Sequence, residues 1–207
     1  MPIASLPRCS ADMAASKPAS ADKPYLREFF IEQRKALCED MGRKNALDLE
    51  IQTRLLITPE YRSADTILLY MARPTEIATS LIIHAAFANH KKVALPVCRE
   101  QGHMIFRRID SLNDVAPGRF GILEPTAQCE EITPDEHTLC VCPALCCDMR
   151  GYRLGFGGGY YDRYLADFPG VKAALCYADS MIPKIGEEPF DIKMDVILTD
   201  SFTRYMK

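Results

Sequence analysis

Short apolar runs alternate along this chain with longer stretches whose apolar residues recur at helical spacing. The runs at 66–71, 92–97, 138–142, 171–177 and 195–199 read as buried strands, and the apolar–polar alternation of 104–109 reads as another. Helical patterns fill 45–57, 78–89 and 160–168, with Pro59 and Pro169-Gly170 as stops. A first helix is predicted to begin around Asp22-Lys23-Pro24, with Pro24 suited to its first turn, and to run to Met41 before Gly42 ends it. The alternation of strands and helices over 21–207 predicts a single α/β domain: three layers, a mainly parallel sheet, helices on both faces. Residues 1–20 are rich in Ala, Ser and Pro and are expected to form a disordered tail.

At 100° per residue, Leu26, Phe30, Leu37 and Met41 make one apolar stripe on the first helix. Lys23, Arg27 and Arg34 form a second stripe along its edge, and Glu28, Glu32, Lys35 and Glu39 take the far side. One charge at such a position is ordinarily a solvated edge. Three cations in register, with no acid among them, favour an anion site.

Composition narrows the possible partners. The 207 residues carry a net charge of −3, which gives no reason to expect nucleic acid, and no run is long enough to suggest a membrane span. Of the nine cysteines, Cys98, Cys140, Cys142 and Cys176 lie in apolar, strand-like runs, where cysteine behaves as a small hydrophobe. An odd number in a chain of this size points to a reducing cytoplasm. Cys140, Cys142, Cys146 and Cys147 are spaced C-x-C-x-x-x-C-C, which matches no common zinc pattern. His84, His90, His103 and His137 are scattered.

The densest chemistry lies in Arg153-Leu154-Gly155-Phe156-Gly157-Gly158-Gly159-Tyr160-Tyr161-Asp162. Four glycines in five residues cannot be an ordinary strand or helix interior. They suit a loop whose unobstructed N–H groups cradle an anion, with Arg153 adding positive charge and Asp162 offering a hard oxygen ligand. No Gly-Lys-Ser/Thr follows, so it is not a Walker loop, and Tyr160 stands where the dinucleotide fingerprint needs its third glycine. From the loop alone, a phosphate cradle and a plain flexible turn both stay open. In a mainly parallel sheet ligands bind beyond the carboxyl ends of strands. The loop follows the 138–142 strand, and Arg73 to Glu76 follows the 66–71 strand, so both are expected at that edge.

The segment from Gly151 to Arg163 resembles the signature of the 5-formyltetrahydrofolate cyclo-ligase family, also called 5,10-methenyltetrahydrofolate synthetases. Lys23-Pro24-Tyr25-Leu26-Arg27, Glu76-Ile77-Ala78-Thr79, Lys91 to Pro96, Gly121 to Pro125 and Asp191 to Asp195 are similar to further family segments, so the likeness spans about residues 23 to 200. It implies an enzyme that couples ATP hydrolysis to ring closure. The γ-phosphate passes to the formyl oxygen of 5-formyltetrahydrofolate, N10 attacks the activated carbon, and phosphate leaves. Such chemistry needs positioning and charge neutralisation more than covalent help.

Carried over residue by residue, the resemblance implies catalytic roles for Arg153, Lys23 and Arg27. It implies ATP contacts from Lys23, Arg27 and the stretch Arg153 through Tyr161. It implies folate contacts from Arg27, Met71, Glu76 and Phe156 through Tyr160, and Mg2+ ligands in Asp162 and Asp191. The folate partner is expected with or without polyglutamate. Read without the family, Met71 is more often core, Tyr160 and Tyr161 packing residues, Asp191 a turn residue and Glu76 an exposed carboxylate. Two positions depart from the commoner pattern: Ala78, where members often carry an acid, and Phe156, where some carry a basic residue. A non-catalytic folate- or nucleotide-binding regulator on the same fold is the rival reading. The sequence is silent on oligomeric state.

Overall fold

The computed structural model describes residues 22–206; the tail expected at 1–20 lies outside them. In chain order the helices are α1 (Lys23–Leu37), α2 (Met41–Leu56), α3 (Pro59–Ser63), α4 (Ser80–Ala88) and α5 (Tyr160–Leu165). The strands are β1 (Thr66–Leu68), β2 (Lys92–Cys98), β3 (Met104–Ile109), β4 (Val115–Pro117), β5 (Leu123–Pro125) and β6 (Thr138–Pro143). After these come β7 (Cys146–Asp148), β8 (Arg153–Leu154), β9 (Val171–Leu175), β10 (Met181–Ile182), β11 (Val196–Leu198) and β12 (Thr203–Tyr205). Seven strands form one sheet in the order β12-β11-β9-β6-β1-β2-β3. Its five inner strands are parallel and the two edges, β3 and β12, pair antiparallel to their neighbours.

Period-two alternation splits each inner strand between two cores. Ile67, Val93, Leu95, Leu139, Val141, Leu175 and Leu198 face α2 and α4, packing on Ile51, Leu55, Ile82 and Ile83. Leu68, Ala94, Cys140, Cys142, Ala174 and Ile197 face the other way, onto Leu165 of α5, Phe168 and Met194. The expected mainly parallel sheet, with helices on both faces, is the architecture found. Cys140 and Cys142 do share a face, their sulfurs 3.8 Å apart. Cys98 is only half-buried, because β2 carries it out to the sheet edge.

Two sequence expectations need correcting. The first helix ends at Leu37, and Met41-Gly42 opens α2 instead of closing α1. The cause is Asp40, whose carboxylate accepts the Arg43 N–H at 2.9 Å and so caps a new helix start. Met41 is accordingly exposed and is no part of the α1 stripe. Also, a small sheet in the order β10-β7-β8 follows β6. Its pieces are two or three residues long, too short for a periodicity signal. Leu26 and Phe30 of α1 pack on Leu145, Cys146, Leu154 and Ile182 of this region, which brings the first helix against the glycine loop.

Candidate active site

β1 and β6 are adjacent and parallel, with Leu68 opposite Cys140, so the segments that leave them emerge at the same carboxyl edge. After β6 the chain forms the β7–β8 hairpin, which pairs Arg153 with Cys147 and releases the glycine loop beside the sheet end. Asp148 holds the hairpin turn: its buried carboxylate accepts the N–H groups of Arg150 and Tyr152 at 2.9 and 3.0 Å and that of Ile185 at 2.9 Å. Arg150 then ties down Glu187 at 2.5 Å, holding that carboxyl down at about 2. These contacts place the 188–191 segment opposite the loop.

A cavity of about 520 Å³ opens at this edge. Every residue that the family resemblance implied for the site lines it: Lys23 and Arg27 from α1, Met71 and Glu76 from the segment after β1, the whole stretch from Arg153 to Asp162, and Asp191. A separate, more open hollow near Arg150 and Arg204 holds none of them. Arg34, the third cation of the α1 stripe, does not reach the cavity. It is buried, donates to the Ala144 carbonyl and stacks on Tyr177 at 5.6 Å.

The charged end of the cavity is organised by ion pairs. Lys23 Nζ donates to Glu188 at 2.5 Å and to Asp191 at 2.6 Å. Burial lowers the lysine pKa, yet these two bonds outweigh it and hold the amine above its ordinary value. Arg153 is buried and donates to Asp162 Oδ1 at 2.9 Å, an oxygen that also accepts the Ile192 N–H at 3.2 Å. The Arg153 guanidinium stacks on Tyr161 at 5.7 Å, while its Nε and the Tyr161 hydroxyl are buried without a partner. Arg27 donates Nε to the Gly155 carbonyl at 3.1 Å, fixing one end of the glycine loop.

Glycine is required within that loop. Gly157 has φ +100°, a conformation that side chains strain, and a Cβ there would also crowd the Arg27 guanidinium at 3.4 Å. A Cβ on Gly158 would meet the Tyr160 ring at 2.8 Å. Among the described residues, the N–H groups of 155–159 donate to no protein acceptor. The same residues line the cavity, and backbone donors left free in a glycine loop are a common way to bind oxyanions.

The lining also has an apolar part, Met71, Pro96, Met104 and Ile122. Glu76 is buried in the wall, its carboxylate accepting the Arg73 N–H at 2.8 Å. Burial pushes its carboxyl above the ordinary value; the Arg73 N–H and the nearby Arg73 and Arg34 charges only partly offset this. Behind it, Lys44 donates to the Glu76 carbonyl at 2.9 Å and to Asp48 at 2.6 Å. Asp48 in turn accepts the Ala78 N–H at 3.1 Å and the Tyr177 hydroxyl at 2.6 Å. This network fixes the Glu76 segment. Sequence reasoning expected Arg73 at this edge but gave it no role, and it missed Glu188 and Phe190 as cavity residues. The signals were present but weak: Arg73 and Glu188 each lie three residues from a selected acid.

The unpaired loop N–H groups, the partnerless Arg153 Nε and Arg27 suit the oxygens of a triphosphate. Among the described residues no three His, Cys, Asp or Glu side chains group as a metal site. Asp162 and Asp191 line the cavity, paired with Arg153 and Lys23, and two carboxylates are the protein share that Mg2+ usually takes beside phosphate and water.

A mainly parallel sheet whose carboxyl edge carries a glycine-walled cleft, lined by four cations and four acids, defines an α/β protein with its candidate ligand site at the strand ends. A sequence model of the 5-formyltetrahydrofolate cyclo-ligase family matches residues 19–200, and the chain belongs to that family. It is 30% identical over 145 residues to a 5-formyltetrahydrofolate cyclo-ligase from Haemophilus influenzae, covering 67% of this chain and 78% of that protein. It is 27% identical over 169 residues to the Escherichia coli protein of the same name, covering 79% and 90%. Among solved structures, a 5,10-methenyltetrahydrofolate synthetase from Aquifex aeolicus superposes with a TM-score of 0.77 at 28% identity, covering 89% of this chain and 93% of that one. These names support an enzyme with cyclo-ligase activity. No helix among the described residues is long and apolar enough to cross a membrane.

Proposed function

We propose that this chain catalyses ATP-dependent closure of 5-formyltetrahydrofolate to 5,10-methenyltetrahydrofolate, releasing ADP and phosphate. The observation that carries the reading is the single cavity shared by Lys23, Glu76, the glycine loop and Asp191, segments far apart in sequence. ATP supplies the phosphoryl group that makes the formyl oxygen able to leave. Lys23, Arg27 and Arg153 neutralise the charge of the phosphates, and the N–H row of 155–159 orients them. Asp162 and Asp191 hold Mg2+. The apolar wall with Met71 receives the pterin, and Glu76 accepts hydrogen bonds from its ring N–H groups. Tyr160, beside the glycine loop, closes the cleft between the two substrates. The family relationship supports the reading, and the reducing cytoplasm suits its free thiols.

The test is direct. Protein incubated with MgATP and 5-formyltetrahydrofolate is expected to generate the near-ultraviolet absorbance of the methenyl product. Folded protein that binds folate and nucleotide but yields no band would instead be a regulator on the same fold.

Glu76 gives a second expectation. A carboxyl whose pKa is raised by folding binds its proton more tightly when folded, so ionised Glu76 costs stability at neutral pH. That cost fades as pH falls through the raised folded value and is gone once pH is below the unfolded one. Glu76→Gln keeps an acceptor for the Arg73 N–H. Its Tm at neutral pH is expected to equal or exceed that of the parent, with any advantage gone by about pH 4. Its kcat/KM for the folate is expected to fall by about 10²-fold, since a charged acceptor is lost. A Tm below the parent's at neutral pH, or unaltered kinetics, would contradict this account of Glu76.

A further inference from the structure

The cations of the cavity are not equally committed. Lys23 has Glu188 and Asp191, and Arg153 has Asp162. Arg27 spends its Nε on the glycine loop. Arg73 is different. Among the described residues its guanidinium forms no ion pair and donates no hydrogen bond. Glu76, the acid on the same short segment, takes the Arg73 backbone N–H and not its side chain. The guanidinium instead lies over the Phe156 ring, 5.4 Å from its centroid. Phe156 lines the cavity and is 46% exposed.

A cation–π contact of this kind holds the guanidinium near the ring and leaves its N–H groups without a protein acceptor. A guanidinium edge matches a carboxylate, which it can engage through two parallel hydrogen bonds. The surroundings favour a carboxylate over a phosphate. Arg73 follows β1, and its neighbour β2 delivers Pro96 and Cys98 to the same end of the cavity, where Met71 and Ile122 complete a carbon-rich wall. Lys23 and Arg153 are already paired with Glu188, Asp191 and Asp162. A ligand with an apolar body and an acidic terminus fits the apolar wall, with its acid at Arg73.

Taking the folate reading of the cavity as given, we infer that Arg73, held near the Phe156 ring, receives a carboxylate of the substrate's glutamate tail and so determines specificity for it. The loop residue Phe156 and the strand-end residue Arg73 then act together as one recognition element across the cavity mouth.

The experiment compares the full chain with Arg73→Gln and Arg73→Lys, using 5-formyltetrahydrofolate and the analogue 5-formyltetrahydropteroate, which lacks the glutamate. All variants retain the backbone N–H that holds Glu76. Arg73→Gln is expected to raise the KM for the folate about tenfold, the effect of losing a charge-assisted hydrogen bond, with the KM for MgATP moving less than about twofold. Arg73→Lys is expected to recover part of the loss. On the tailless analogue, the parent and Arg73→Gln are expected to agree within about twofold. The inference is overturned if the folate KM stays within that margin, if the ATP KM carries the rise (the anion is then a phosphate), or if the tenfold gap persists without the tail. Should the parent show no turnover at all, the proposed reaction fails separately. Calorimetric titration with the folate and its analogue then decides Arg73 by the same ratios.

Discussion

Arg153→Met is expected to leave a folded protein whose kcat for the cyclisation is about 10³-fold lower, at the lower end for a cation that stabilises a phosphoryl-transfer transition state. The argument begins with burial. The side chain is 3% exposed, its Nη1 is fixed on Asp162 and its Nε has no protein partner. A partnerless donor on a buried guanidinium lining the cavity is a group positioned for a ligand oxygen. Methionine fills comparable volume and removes the charge together with its desolvation cost. What remains is Asp162, 19% exposed and still accepting the Ile192 N–H, so little stability should be lost. Single-turnover kinetics with saturating MgATP check this result. A near-parental rate with a normal melt would reduce Arg153 to a structural partner of Asp162.

Asp162 is expected to behave asymmetrically. Asp162→Ala leaves the Arg153 charge buried and unpaired, which costs about 3–5 kcal/mol in comparable buried pairs. Lost activity in that variant would therefore be ambiguous. Asp162→Asn keeps an oxygen for the Ile192 N–H and for Arg153 while removing the carboxylate charge. It is expected to fold, to lose about 10²-fold in kcat, and to need substantially more Mg2+ for half-maximal rate, since this ion relies on very few protein carboxylates. Rate against Mg2+ concentration, beside a thermal melt, separates the two roles. An unshifted Mg2+ dependence would assign Asp162 to Arg153 alone and leave the metal to Asp191.

The chain's own order of residues determined a good deal. Buried strands revealed themselves because a strand covered on both faces must be apolar throughout, as in β6 and β11. The glycine loop was legible because only glycine tolerates the +100° backbone of Gly157 and the close approach of Tyr160 to Gly158. The α1 cations were legible because helical spacing fixes which side chains share an edge. Lys23 and Arg27 reached the cavity on that logic. Arg34 did not, although its spacing obeys the same rule, because α1 meets the Ala144 carbonyl one turn before the cleft ends.

Tertiary structure alone decided how the charges were paired. Nothing local links Lys23 to Asp191 or Arg150 to Glu187; those contacts exist because packing of Leu26 and Phe30 on the small sheet brings distant segments together. Arg73 over Phe156 belongs to the same class. The break between α1 and α2, by contrast, is local: the Asp40 cap bond to the Arg43 N–H, three residues on, outweighs the continuous helical pattern. Periodicity and turn chemistry act between near neighbours in the chain, so the sequence alone reveals elements and loops. Which cation meets which acid depends on the relative placement of whole elements, and that is set by burial summed over the entire core.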